Sequence, residues 1–96
     1  MSQPELLACY ESLHASAQRM LAAATVEDWS ALQAEERNCD RLFARAAHMG
    51  DPMEILDPEG RRKRMVLLSG MLATDARIRN LTEPWLLDLE RYVGRA

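Results

Sequence analysis

The sequence predicts an all-α fold, an antiparallel bundle of three long helices, and three observations point to it. Ala, Leu, Glu, Arg and Met dominate, and these are strong helix formers. Only three valines and two isoleucines occur, so a sheet would lack its usual β-branched material. Apolar residues recur at steps of three and four along three separate stretches, the spacing of one helix face. At 96 residues the chain is expected to be a single domain, residues 1–96, built around one core.

The first helix has a marked start. Ser2 followed by Glu5 fits a capping box, and Pro4 stands in the first turn, where its missing N–H costs nothing. Leu6, Tyr10, Leu13, Ala17, Met20 and Ala24 then form one stripe, flanked by His14 and Gln18.

The second helix is expected to open at Thr25, whose hydroxyl can cap it, with Glu27 and Asp28 where the helix dipole favours anions. Its stripe reads Trp29, Leu32, Glu36, Cys39, Phe43 and Ala46. Glu36 interrupts it; a small rotation toward Ala31 and Glu35 would carry Glu36 to the stripe's edge and into solvent. Gly50 is placed to stop the helix.

Residues 50–57 connect to the third helix. Met53, Ile55 and Leu56 are too apolar for a free loop and are expected to cover one end of the bundle. Asp57-Pro58-Glu59 then reads as a cap, a first-turn proline and an acid that suits the dipole. From there Leu68, Met71, Asp75, Ile78, Thr82, Trp85, Leu89 and Tyr92 keep helical phase, with Leu67, Leu72, Leu81, Leu86 and Val93 widening the stripe. Gly70 is weak in a helix interior, Pro84 predicts a kink near residues 80–84, and Gly94 is expected to end the element. This third helix would run roughly 50 Å against roughly 30–35 Å for the others. Its apolar overhang, near Ile78 through Tyr92 or at the opposite end near Met65 to Leu72, would need a cover from outside the chain, a twin or a partner.

Composition excludes several classes. No apolar run approaches the roughly 18 residues of a membrane span. The opening MSQPELLACYE lacks the basic start of a signal peptide, so a cytoplasmic protein is expected, with Cys9 and Cys39 as free thiols. The net charge of −3 is uneven: residues 1–60 carry −7 and residues 61–96 carry +4. The run Arg61-Arg62-Lys63-Arg64 could meet phosphates, but overall acidity and the absence of interleaved aromatics favour a solvated face offset by Asp57 and Glu59, with no nucleic acid bound.

Catalytic and metal patterns are not found. His14 and His48 are isolated, Cys9 and Cys39 fall on different helices, and no CxxC or HxxxH spacing occurs. Ser12, Ser16, Ser30 and Ser69 lie inside helices without a strained turn, and the four glycines form no phosphate loop. A small helical enzyme of the chorismate mutase kind would need several internal cations, and the first helix offers only Arg19. No enzyme, no metal and no cofactor are expected.

Three stretches carry a family resemblance. They are the spaced Leu, Met and Ala of the first helix, the segment ATVEDWSALQAEERNCDRLFARA, and LATDARIRNLTEPWLLDLERYV, with an acid, an Ile three residues on, a Leu three further and a leucine-rich close. Together they resemble the flagellar export chaperones of the FliT type over nearly the whole chain. The resemblance implies a cytosolic protein that binds the C-terminal region of the filament-cap protein FliD, holds it back from early assembly and delivers it to the export apparatus. Some members also bind the export ATPase or the flagellar master regulator. The family's third helix supplies much of the partner surface, which by position implies Leu68, Leu72, Ile78, Arg79, Leu81, Trp85 and Leu89. Some members carry a further C-terminal helix that masks this face; the sequence ends at Ala96, which leaves self-masking and regulator binding open. The competing reading is a generic helical interaction or regulatory module acting as a homodimer.

Overall fold

A computed structural model of the chain describes residues 2–82 and 93–94. Among the described residues four helices follow one another: α1 (Gln3–Thr25), α2 (Trp29–His48), the single turn α3 (Pro52–Ile55) and α4 (Pro58–Thr82). The fold is all-α, and no strand occurs among the described residues.

The helix boundaries have local causes. Ser2 Oγ accepts from the Glu5 N–H at 3.4 Å and Pro4 sits in the first turn of α1. Thr25 does not cap α2 as the sequence suggests. It is the last residue of α1, and its hydroxyl donates to the Leu21 carbonyl at 2.8 Å. The cap of α2 is Asp28, whose Oδ1 accepts from the Ala31 N–H at 3.1 Å. Asp28 also closes α1: its N–H reaches the Ala23 carbonyl (2.9 Å) while the Glu27 N–H reaches Ala24 (3.2 Å). This pairing is a Schellman stop, with Glu27 in the left-handed region at φ 59°. Three residues therefore reverse the chain, and one aspartate serves both helices.

Gly50 follows α2 at φ 113°, the expected stop. The connector is more ordered than a loop. Asp51 caps α3 through the Met53 N–H at 2.9 Å. Leu56 is buried and Ile55 half-buried against the base of α1, so both cover the end of the bundle as expected, whereas Met53 is exposed. Asp57 caps α4, Oδ1 accepting from the Gly60 N–H at 2.7 Å, and it is clamped to α1 by Gln3, which accepts from its N–H (2.6 Å) and donates to Oδ2 (3.1 Å). These donors hold the Asp57 carboxyl below its ordinary range, the Gly60 N–H most of all.

Cross-helix contacts fix the directions. Cys9 meets Leu42 while Arg19 meets Glu35, so α1 and α2 are antiparallel. Tyr10 meets Arg64 while Gln18 meets Thr74, so α1 and α4 are parallel. Gly70 has a packing reason: a methyl there would lie 3.0 Å from the His14 ring. α1 packs extensively on both α2 and α4, which scarcely approach each other among the described residues. The molecule is a slab of 48 × 33 × 18 Å with α1 in the middle, and among the described residues the third side of the bundle is open. Among the described residues most buried apolar side chains fall into two clusters, one around Leu6, Leu13 and Leu56, the other around Leu21, Ala24, Leu32 and Ile78.

Over its described length α4 has 25 residues against 23 in α1. The expected kink at Pro84 and overhang through Tyr92 lie outside the described residues; Val93 and Gly94 are helical and exposed. The uncovered apolar surface seen here arises sideways, from the gap between α2 and α4.

Candidate partner-binding groove

The rotation of α2 begins at a polar layer between the two clusters. Ser16 is fully buried on α1 and donates to Glu35 Oε2 at 2.6 Å. Arg19 grips the same carboxylate through Nε (2.7 Å) and Nη2 (3.3 Å). Asn38 Nδ2 and Cys39 Sγ both approach Ser16 Oγ at 3.2 Å. The Arg19 bonds, followed by the Ser16 hydroxyl, pull the Glu35 carboxyl down to about 2, and the same contact raises Arg19.

With Glu35 turned inward, α2 buries Leu32, Glu35, Cys39, Leu42 and Ala46, wholly or partly, and its C-cap residue Met49 is buried beside them. The stripe expected from sequence is corrected by this rotation. Glu36 moves to the solvent edge, as anticipated, and Phe43 moves with it and is 49% exposed. Trp29 is likewise exposed.

Phe43 and Glu36 do not face empty solvent. A groove of about 480 Å³ runs between α2 and α4. Ala17 and Met20 of α1 form its floor. Glu36, Cys39, Asp40 and Phe43 form the α2 wall. Leu68, Met71, Leu72, Asp75 and Ile78 form the α4 wall. The chemistry is thioether, thiol and hydrocarbon within, with carboxylates at the edges. Methionines are adaptable gap fillers and suit a surface that receives another protein's side chains.

The residues implied by the resemblance divide into three groups. Leu68, Leu72 and Ile78 line the groove. Leu72 is 72% exposed and available to a partner, whereas Ile78 is buried against Leu21 and Ala24 and serves as structure. Arg79 and Leu81 are exposed and lie beyond the lining; Arg79 pairs with Asp75 at 2.8 Å. Trp85 and Leu89 lie outside the described residues. Met20, Cys39, Phe43 and Met71 join the groove without having been named as partner-binding by the sequence; the signal for Phe43 was its place in a stripe that already contained a charge.

The basic run is not one solvated face. Arg61 Nη2 donates to the Met53 carbonyl at 2.7 Å, and Arg64 Nε donates to the Tyr10 hydroxyl at 3.1 Å. Arg62 and Lys63 remain exposed. Asp57, expected to offset the run, is engaged by Gly60 and Gln3 and also feels the charge of Lys63. Among the described residues no group of three His, Cys, Asp or Glu side chains could hold a metal ion, and both cysteines are free. No described helix is long and apolar enough to cross a membrane.

A family model described as flagellar protein FliT matches residues 7–96. No curated protein and no solved structure matches the chain.

Proposed function

The chain belongs to the FliT family of flagellar proteins, and from that premise we propose that it is an export chaperone that seats a client helix in the groove between α2 and α4. The client is the C-terminal region of the filament-cap protein FliD, kept from early assembly in the cytosol and released to the export apparatus. The observation that carries this reading is the open third side of the bundle, where Phe43 and Leu72 stand exposed on opposite walls above Met20.

The physics requires no catalysis. An amphipathic helix laid over α1 would complete the packing that α2 and α4 leave open. Burying one leucine or phenylalanine side chain is worth about 1.5–3 kcal/mol, so two anchors and their counterparts give binding without an obligate interface. A client that folds as it binds spends part of that energy on ordering, which keeps it releasable.

Calorimetric titration of the purified chain with the FliD C-terminal segment tests the proposal. Binding is expected for the wild type and is lost in Phe43→Asp. Undiminished binding in that variant contradicts the groove, and a tight homodimer that takes no client supports the self-association reading instead.

A further inference from the structure

The two walls of the groove differ in charge. Glu36 and Asp40 stand one turn apart on the α2 wall, both exposed, and neither forms an ion pair among the described residues. Arg37 and Arg41 flank Asp40 on the outer side of α2, but Arg41 is directed to Asn38 Oδ1 at 3.2 Å. On the facing wall the single acid, Asp75, is already paired with Arg79. Like charges at this helical spacing disfavour the free helix. They also border a surface whose other walls are hydrocarbon and thioether.

From this asymmetry we infer that the groove's occupant is an amphipathic helix carrying two cationic side chains, four residues apart, along the edge that faces α2. This rests on the groove reading above and adds the occupant's charge pattern and orientation. The lined part of α4, Leu68 to Ile78, spans roughly 15 Å, or about three turns of a docked helix. Glu36 and Asp40 are about 6 Å apart along their axis, the rise between Lys or Arg at i and i+4. A helix inserted back to front, or rotated by half a turn, would bring its cations to the neutralised α4 wall. The acids therefore select orientation and partner, while the apolar trough supplies affinity.

Two synthetic peptides of about 18 residues test this, long enough for appreciable helix. Both carry one Leu/Met stripe; one has a Lys pair at i and i+4 on a single edge, the other a Glu pair. Fluorescence anisotropy follows each against the wild type, Glu36→Lys/Asp40→Lys, Glu36→Gln/Asp40→Asn and Leu72→Asp, with circular dichroism confirming each fold. The wild type is expected to prefer the Lys peptide by about five- to tenfold in low salt, and the preference should narrow as salt rises to about 0.3 M. It should vanish in the Gln/Asn variant and invert in the Lys/Lys variant. Equal affinity for both peptides, lost together in Leu72→Asp, overturns the charge inference and leaves the groove standing. Failure of both peptides to bind, or binding indifferent to Leu72→Asp, overturns both.

Discussion

Ser16 and Glu35 meet at 2.6 Å across the α1–α2 interface, and this contact turns α2 so that Phe43 faces the groove. A fully buried hydroxyl needs a partner, and the carboxylate is also held by Arg19. Ser16→Ala removes the donor and leaves Asn38 and Cys39 without their shared acceptor. The expected cost is about 1–2 kcal/mol, measured by urea denaturation.

The same carboxylate sets an acid dependence. Its pKa falls from 4.5 to about 2 on folding, so the unfolded state binds the proton more readily. The contribution of Glu35 is therefore present above pH 4.5 and is lost as pH falls from there toward 2. Glu35→Gln should flatten the stability profile in that window while changing little of its shape at neutral pH and above. A variant profile as steep as the wild type's would show that other carboxylates dominate.

Two turns should both favour glycine. Glu27 occupies the left-handed region at φ 59°, where a side chain is disfavoured. Glu27→Gly should stabilise by about 1 kcal/mol. Gly50 adopts φ 113°, and Gly50→Ala places a methyl 3.3 Å from Ile55 Cδ1 on a strained backbone. It should destabilise by about 1–2 kcal/mol, and each kcal/mol corresponds to roughly 4–8 °C in Tm for a domain of this size.

Two residues that sequence reasoning grouped together should separate in experiment. Leu72 is 72% exposed and Ile78 is 8% exposed. Leu72→Asp should keep full helicity and lose the client. Ile78→Asp buries an uncompensated carboxylate among Leu21, Ala24 and Leu32, and should cost at least about 3 kcal/mol. Thermal denaturation followed by circular dichroism distinguishes them: the Leu72 variant melts like the wild type and the Ile78 variant does not.

Much of this was legible because it is local. Ser2, Pro4, Gly50 and Asp57 announce helix ends through chemistry confined to one turn, and the α4 phase through Leu68, Met71, Asp75 and Ile78 matches the face that the structure turns inward. The α2 phase was legible only in part: the rotation toward Ala31 and Glu35 that frees Glu36 was readable, the exposure of Phe43 was not. A pattern that places carbon inside and charge outside prefers Phe43 to Glu35, and the reason for the reverse, Ser16 and Arg19, lies on another helix. Thr25 and Asp28 are both sound caps, and only the Schellman pairing of Ala23 with Asp28 decides between them. The groove itself is a property of three helices together, which the periodicity of any single helix does not contain.

Amide chemical-shift mapping with the FliD C-terminal segment tests the central claim most directly. Shifts are expected to concentrate on Met20, Cys39, Phe43, Met71 and Leu72, the floor and both walls of the groove. Shifts concentrated instead on Glu11, Arg62, Lys63 and Val66, which border a separate depression, would contradict it.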